Sequence, residues 1–496
     1  MHWTCVTGSL RPIEADWLIV PVLENGLTSA AQEINEITGG LVTRLRESGD
    51  LRGKLAEILP LVAGPYASAN RLLLLGLGKG EEVDRRSLYR AGFAAGKFVA
   101  SRKHARIALA VPEPTGRLNW WDMILGLGTG LYAAYRGPGI RQAQPDRQPP
   151  DETVLVAPVS APQEQLESAT RRAEVEGRAI QLARDLVNEP PCDLYPETFA
   201  RRAELVSQSA GVECTIWDEK QLLAERMGCL LGVAQGSARP PRVVILRYRH
   251  AGDKPTLALL GKGVTFDSGG LSLKTNEQMQ DMKGDMAGAA AVLAAVQAIA
   301  ELRLPVNVLG LLALVENMPS GQALKLGDVL KARNGKTVEI LNTDAEGRLI
   351  LADILCYAVE QNAAHLLDLA TLTGACMVAL GTEVAGLMSN NEPWAERVRQ
   401  SASAAGEQVW PLPMFKEYAE LLRSHVADVK NVGGRYAGAI TAAKFLEHFV
   451  ADKPWAHLDI AGPAWAADDG PTRDAGGTGF GVRTLVELAH RYAQES

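Results

Sequence analysis

The sequence predicts an α/β fold of two domains, each a mainly parallel or mixed sheet flanked by helices, with the larger domain C-terminal. Three observations predict it. The chain has 496 residues, too many for one ordinary hydrophobic core. Apolar runs of strand length alternate with longer stretches of helical period, the succession that builds βαβ units. In the second half these runs end in loops dense in glycine and charge, and in open α/β sheets ligands sit beyond the carboxyl ends of the strands.

Taken in order, the apolar runs Trp17–Val22 and Arg71–Leu77 suit buried strands, and Ala30–Ser48 between them has helical spacing. Ala105–Val111 and Trp120–Tyr135 form a second strand–helix pair. The segment Arg141–Glu152, rich in Pro, Gln and charge, reads as an exposed loop. A strand at Thr153–Pro158 precedes a long helix from Pro162 to Val187, so the first domain spans residues 1–162 and the second 163–496, with this helix as a bridge at its start. Beyond it, Thr256–Phe266 is a strand, Gly288–Leu302 an alanine-rich buried helix and Val306–Val315 a strand. Asn334–Gly335 marks a tight turn. Thr337–Leu341 is a strand, Leu349–Glu360 a helix and His365–Leu369 a strand.

Bulk properties narrow the function classes. Hydrophobic residues make up 47% and charged residues 22%, the balance of a folded globular chain. A net charge of −7 argues against a generalised nucleic-acid binder. The six cysteines (Cys5, Cys192, Cys214, Cys229, Cys356 and Cys376) are scattered with no CxxC pair, as expected for free thiols in a reducing compartment. The first twenty residues lack the basic and apolar regions of a signal peptide, and no window reaches the ~18 apolar residues that span a bilayer. These features together predict a cytoplasmic protein.

The chemistry concentrates in three loops after predicted strands: GKGVTFDSGGLSLK at Gly261–Lys274, LNTDAEGRL at Leu341–Leu349 and DLATLTGA at Asp368–Ala375. A fourth piece, MKGDMAGAAA, places Asp285 at the entrance of the alanine-rich helix. Asp267, Asp285, Asp344 and Glu346 would then converge at one end of the sheet. Clustered carboxylates repel unless they are protonated or bridged by cations, and two divalent ions roughly 3.5–4 Å apart are a recurrent hydrolytic solution. Each acid singly is better explained by a helix or turn cap, as for Asp267 before Ser-Gly-Gly and Asp285 before its helix. Four together, with Lys262, Lys274 and Arg348 interleaved, point to a site. The eight histidines form no HExxH or HxH pattern, which excludes a zincin-type centre; His365 and His457 read as core or strand-edge residues. An oxygen-rich site suits Mn or Mg, and Zn also accepts carboxylates. GKG is not the end of a P-loop, because Thr256 stands in place of its first glycine and Gly263 in place of Ser or Thr. The Gly76-Leu77-Gly78-Lys79-Gly80 cluster reads as a tight turn.

NTDAEGRL at Asn342–Leu349 is identical to the signature of the leucyl aminopeptidase (cytosol aminopeptidase) family, the M17 metallopeptidases. GKGVTFDSGG, DLATLTGA, VNEPP at Val187–Pro191, NVGGRYAGAITAAKFL at Asn431–Leu446 and WAHLDIAGPAW at Trp455–Trp465 also resemble family segments. The resemblance implies a macro-like N-terminal assembly domain and a catalytic C-terminal domain. It implies a cytosolic aminopeptidase that releases N-terminal residues, Leu and other apolar ones preferentially, by two-metal hydrolysis. Lys262, Asp267, Asp285, Asp344 and Glu346 resemble the ligands of two metals (Mn, Zn or Mg), with Asp267 and Glu346 bridging. As a ligand, Lys262 must be neutral, so its pKa has to be strongly depressed. Lys274 and Arg348 resemble the catalytic pair, Arg348 holding a bicarbonate. Met282, Thr371, Gly374 and Ala461 resemble the lining of the side-chain pocket. The chain departs from many relatives at Gly284, where a bulkier residue is common, and at Leu326, where proline is usual. The resemblance implies a homo-hexamer acting on peptides with a free N-terminus, and no membrane partner. A DNA-binding role through assembly surfaces, known among relatives, is disfavoured by the acidic charge. A two-metal phosphatase or nuclease would use similar carboxylates but would cleave phosphoesters.

Overall fold

The computed structural model describes residues 2–64, 66–137 and 147–495. The chain forms two compact units, one comprising Met1–Gln181 with Asp468–Ala475, the other Leu182–Ala467 with Gly476–Ser496. The helix Gln163–Asn188 passes from one to the other.

The first unit is built on a six-stranded sheet of β1 (His2–Thr7), β2 (Trp17–Val22), β3 (Ile58–Leu61), β4 (Leu72–Gly76), β5 (Arg106–Ala110) and β6 (Glu152–Ala157), in the order β1-β6-β5-β2-β4-β3. All pairs are parallel except β3 with β4. All six residues of β2 are buried, which is why its apolar run is continuous rather than alternating. The predicted helix over Ala30–Ser48 is two helices, Ser29–Ile37 and Leu41–Glu47. Between them Gly39 and Gly40 take φ of +61° and +88°, a left-handed conformation that ends the first helix. Of the predicted loop Arg141–Glu152, Arg141–Asp146 lie outside the described residues. The remainder is not simply exposed: Arg147 is nearly buried and its Nη1 donates to Asp474 Oδ2 at 2.8 Å.

The second unit carries an eight-stranded mixed sheet. Its strands are β7 (Glu213–Trp217), β8 (Arg242–Arg249), β9 (Thr256–Asp267), β10 (Asn307–Asn317), β13 (His365–Ala370), β14 (Val384–Ser389), β15 (Gln408–Pro411) and β17 (Trp455–Asp459). Two further strands, β11 (Val329–Lys331) and β12 (Thr337–Glu339), form a separate small sheet with β16 (Val429–Lys430). The large sheet runs β15-β14-β17-β13-β9-β10-β8-β7. Its centre, β10-β9-β13-β17, is parallel, and antiparallel pairs flank it at β8 and β14. The predicted strand Thr337–Leu341 therefore exists only as β12 and lies outside the main sheet. Helices Ala287–Glu301 and Gly347–Glu360 are buried almost throughout. The one described segment long and apolar enough to cross a membrane, Asn276–Glu301, is 83% buried in its most apolar window, the burial of a core helix.

One irregularity positions the site. The register of β9 against β10 slips so that Val264 and Phe266 face consecutive residues, leaving Thr265 as an extra residue. Lys262 and Asp267 are five apart, and in a regular strand an odd separation puts side chains on opposite faces. The bulge resets that phase so that both serve the same centre.

Candidate active site

The carboxyl ends of the parallel strands meet the loops that follow them. Asp267 closes β9, Asn317 closes β10, Thr371 follows β13 and Asp459 closes β17. Asp285 precedes the alanine-rich helix, while Glu346 and Arg348 open the helix Gly347–Glu360, whose N-terminal dipole favours the nearby carboxylates.

Four acids and two lysines come together there. Lys262 Nζ lies 2.8 Å from Asp285 Oδ1 and 2.9 Å from Glu346 Oε1, and donates to Thr371 O at 2.9 Å. Lys274 Nζ lies 3.0 Å from Asp267 Oδ2 and 2.5 Å from Asp344 Oδ1, an ion pair with each. Carboxylate oxygens of Asp267, Asp344 and Glu346 fall within 4.8 Å of one another. Thr371 Oγ1 donates to Asp285 Oδ1 at 2.8 Å, which attaches the loop after β13 to the cluster. Arg348 stands apart: its Nη1 donates to Asn431 O at 2.8 Å, and among the described residues it forms no ion pair. Of the other pocket candidates, Met282 and Ala461 are half-buried and Gly374 is exposed. A Cβ at Gly284 would lie 3.2 Å from Trp465 Cε3, so the indole fills the space of a larger residue.

Burial and like charge set the electrostatics. The Asp267 carboxyl is pushed up to about 6 by burial and by Glu346, against the pull of Lys274 and Lys262. Burial, and then Glu346, likewise raise Asp344. Asp285 is raised mainly by burial. Burial works to raise Glu346 too, but Lys262 and Lys274 outweigh it and hold it low. Burial works to lower Lys262, yet Asp285, Glu346 and Asp267 together push it up. With the protein's own charges alone Lys262 is thus an ammonium, and a neutral amine requires added positive charge. Burial brings Arg348 down to about 10.

Divalent cations fit this donor set. Asp285 Oδ2 and Glu346 Oε2 are buried and accept no hydrogen bond from the described residues. Buried carboxylate oxygens left unpaired are costly, and a cation would engage both. Oxygen donors with one amine suit Mn, Mg or Zn.

Residues 181–486 match the catalytic domain of the cytosol aminopeptidase family, and residues 19–133 match its N-terminal domain. The chain belongs to the cytosol aminopeptidase family. The probable cytosol aminopeptidase of Rhodopirellula baltica is 46% identical over 458 residues, covering 92% of this chain and 88% of that protein. The one from Desulfovibrio desulfuricans is 46% identical over 452 residues, covering 89% of each. Among solved structures, a tomato leucine aminopeptidase mutant is similar with a TM-score of 0.87 and 33% identity, covering 99% of this chain and 96% of that one. The bottromycin maturation enzyme BotP in complex with Mn is similar with a TM-score of 0.85 and 34% identity, covering 97% of this chain and all of that one. This cytosol aminopeptidase family member is therefore a metallo-aminopeptidase, a hydrolase.

The structure also gives this aminopeptidase supporting hydrogen bonds that sequence reading did not foresee. Asn317 Nδ2 donates to Asp267 Oδ1 (2.8 Å) and to Thr343 O (3.0 Å), orienting the acid. Asn431, fully buried, accepts from Leu341 N, donates to Asn342 O and offers its carbonyl to Arg348. His457 Nδ1 lies 2.6 Å from Asp368 Oδ1, and Trp455 Nε1 donates to Asp368 Oδ2, a buried pairing that agrees with a core role for His457. Asn431 and His457 lie in segments that carry the family resemblance. Asn317 had no signal beyond its place at a strand end.

Proposed function

We propose that this enzyme releases single residues, Leu and other apolar ones preferentially, from peptides with a free N-terminus, using two metal ions. The carrying observation is the convergence of oxygens from buried Asp267 and Glu346 and half-buried Asp344 within 4.8 Å, flanked by Lys262, Asp285 and Lys274. In this reading Lys262, Asp267, Asp285, Asp344 and Glu346 would hold the ions. The cations, Mn or Zn and alternatively Mg, would supply Lewis acidity toward the scissile carbonyl and an acidified water.

The chain's own groups do the rest. Lys274, held between Asp267 and Asp344, places its ammonium to stabilise the oxyanion that develops at the carbonyl. Asp285 receives the substrate α-amine, restricting cleavage to the N-terminal bond. Arg348 is fixed by Asn431 and has an unpartnered buried Nε, a donor suited to holding a bicarbonate close to the reacting water. Met282, Thr371, Gly374 and Ala461 line the side-chain pocket, whose mostly apolar character favours Leu.

The functional division follows the sequence reading, with residues 1–162 an assembly domain and 163–496 the peptidase domain. A homo-hexamer is the proposed assembly, and the exposed side chains of Val378, Trp410, Phe415 and Tyr436 are the kind of surface that self-association covers. The cytosol is the proposed compartment, in keeping with the names of the relatives and six free cysteines.

Leucine p-nitroanilide hydrolysis by metal-stripped protein, restored with Mn or Zn, tests the reading beside a Glu346→Ala variant. Metal-dependent turnover that the variant lacks is expected. A folded protein inactive with every metal would overturn it.

A further inference from the structure

Asp459 ends β17, where Trp455, His457 and Asp459 share one face opposite Leu366, Asp368 and Ala370 of β13. Its side chain is fully buried, so its oxygens need donors. They find four, on two separate segments. Oδ1 accepts from Leu372 N (3.2 Å) and Thr373 N (3.4 Å) on one side and from Ala461 N (3.2 Å) on the other. Oδ2 accepts from Thr373 Oγ1 at 2.7 Å. Ile460 N donates to Ala370 O at 2.8 Å, carrying the pairing of the two strands one step further.

The same short segment is held from the opposite direction by the acid cluster, through Thr371 O on Lys262 and Thr371 Oγ1 on Asp285. Residues 371–373 are therefore stretched between Asp459 and the proposed ligands. The carboxylate is specifically suited to this place. Thr373 Oγ1 already accepts from Cys376 N at 3.0 Å as cap of the helix Gly374–Leu380, so its single hydrogen must go to an acceptor. An amide nitrogen in place of Oδ2 offers none.

We propose that Asp459 is a positioning residue: one carboxylate bolts the Thr371–Gly374 segment to the Ala461 turn and thereby sets the width, and the selectivity, of the pocket they line. The proposal rests on the reading of these residues as pocket walls. Loosening the bolt lets the walls part, which weakens discrimination between a large and a small apolar side chain.

The test compares Mn-loaded, full-length wild type with Asp459→Asn on leucine and alanine p-nitroanilides. The Leu-over-Ala ratio of kcat/KM is expected to fall about tenfold, the lower end of the selectivity that one methylene carries in an apolar pocket. The loss should fall more in KM for the leucine substrate than in kcat. Thr373→Val should reproduce the loss, and Thr373→Ser, which keeps the hydroxyl, should recover most of it. An unchanged ratio in a folded Asp459→Asn protein, or an equal loss of kcat on both substrates, would overturn the proposal. Wild type inactive on both substrates would sink the functional reading instead. Hydrogen exchange across residues 371–376 then decides this one: faster exchange in Asp459→Asn supports it, and an unchanged rate overturns it.

Discussion

Gly347, inside the NTDAEGRL signature, lies against the side chain of Lys262. A Cβ there would meet Lys262 Cε and Nζ at 2.7 Å. Lys262 cannot retreat, because its ammonium is shared among Asp285, Glu346 and Thr371 O. Alanine is intrinsically the better helix former, so Gly347→Ala should cost function rather than helicity. Metal affinity, read by Mn titration, and kcat/KM are expected to drop roughly 10–100-fold, the usual effect of disturbing a ligand's support. Lys274→Ala should lower kcat by about 10²–10³ with a smaller change in KM, as for loss of an oxyanion partner; steady-state kinetics on leucine p-nitroanilide read it. At this scale the sequence was most legible where charge stands at a strand end, in a loop after a strand or at the entrance of a helix. Asp267, Asp285, Asp344 and Glu346 could be picked out because charge there needs a reason. Asn317 and Asp459 work through hydrogen bonds to backbone that is distant in sequence, at Thr343 O and at Leu372 N and Thr373 N, and nothing local distinguishes such residues from turn formers.

Among the elements, the helix Gly347–Glu360 carries a second buried acid with a different task. Asp353 accepts from Leu230 N and Arg333 N at 2.9 and 2.8 Å, tying the short helix Gly228–Ala234 to the loop before β12. Burial pushes its carboxyl up to about 7 from 3.8, against the backbone donors that favour the charged form. Because the folded pKa is the higher, the group's favourable contribution is fully present below about pH 4 and is lost as pH rises through 7. Denaturant unfolding of wild type and Asp353→Asn across pH 4 to 8 should show the two stabilities diverging by on the order of 2–4 kcal/mol, the wild type losing relative to the variant as pH rises. Parallel curves would refute this. Legibility differed between elements for physical reasons. Buried parallel strands such as β2, β9 and β13 announce themselves as apolar runs. The break at Gly39–Gly40 and the bulge at Thr265 do not alter hydrophobic period enough to be seen. The odd spacing of Lys262 and Asp267 was the one available hint of the bulge. The helix Ala287–Glu301 was legible from its alanines, but the exclusion of β12 from the large sheet was not, since a three-residue strand reads alike in either sheet.

For the whole molecule, light scattering on the eluted protein should give a mass near six times the 53.2 kDa subunit, and a species of subunit mass would refute the hexamer. Adding Mn or Zn to stripped protein should raise the melting temperature in proportion to the logarithm of metal concentration, because the ions bind the folded site alone. A metal-independent melting temperature would contradict the proposed ligand set. The two-domain α/β plan was readable from length and alternation, and the site from a few loops of the larger part. What length could not convey is that the first compact unit is discontinuous. Its eight distant residues, Asp468–Ala475, bring Asp474, a buried carboxylate that engages Lys97 at 2.8 Å and Arg147 at 2.8 Å. A graft that exchanges only the amino-terminal half with a relative would separate these cations from the anion they were matched to. Chimeras of this chain are thus expected to need a second, short patch near the carboxyl end, transplanted together with the first, before they inherit the donor's stability.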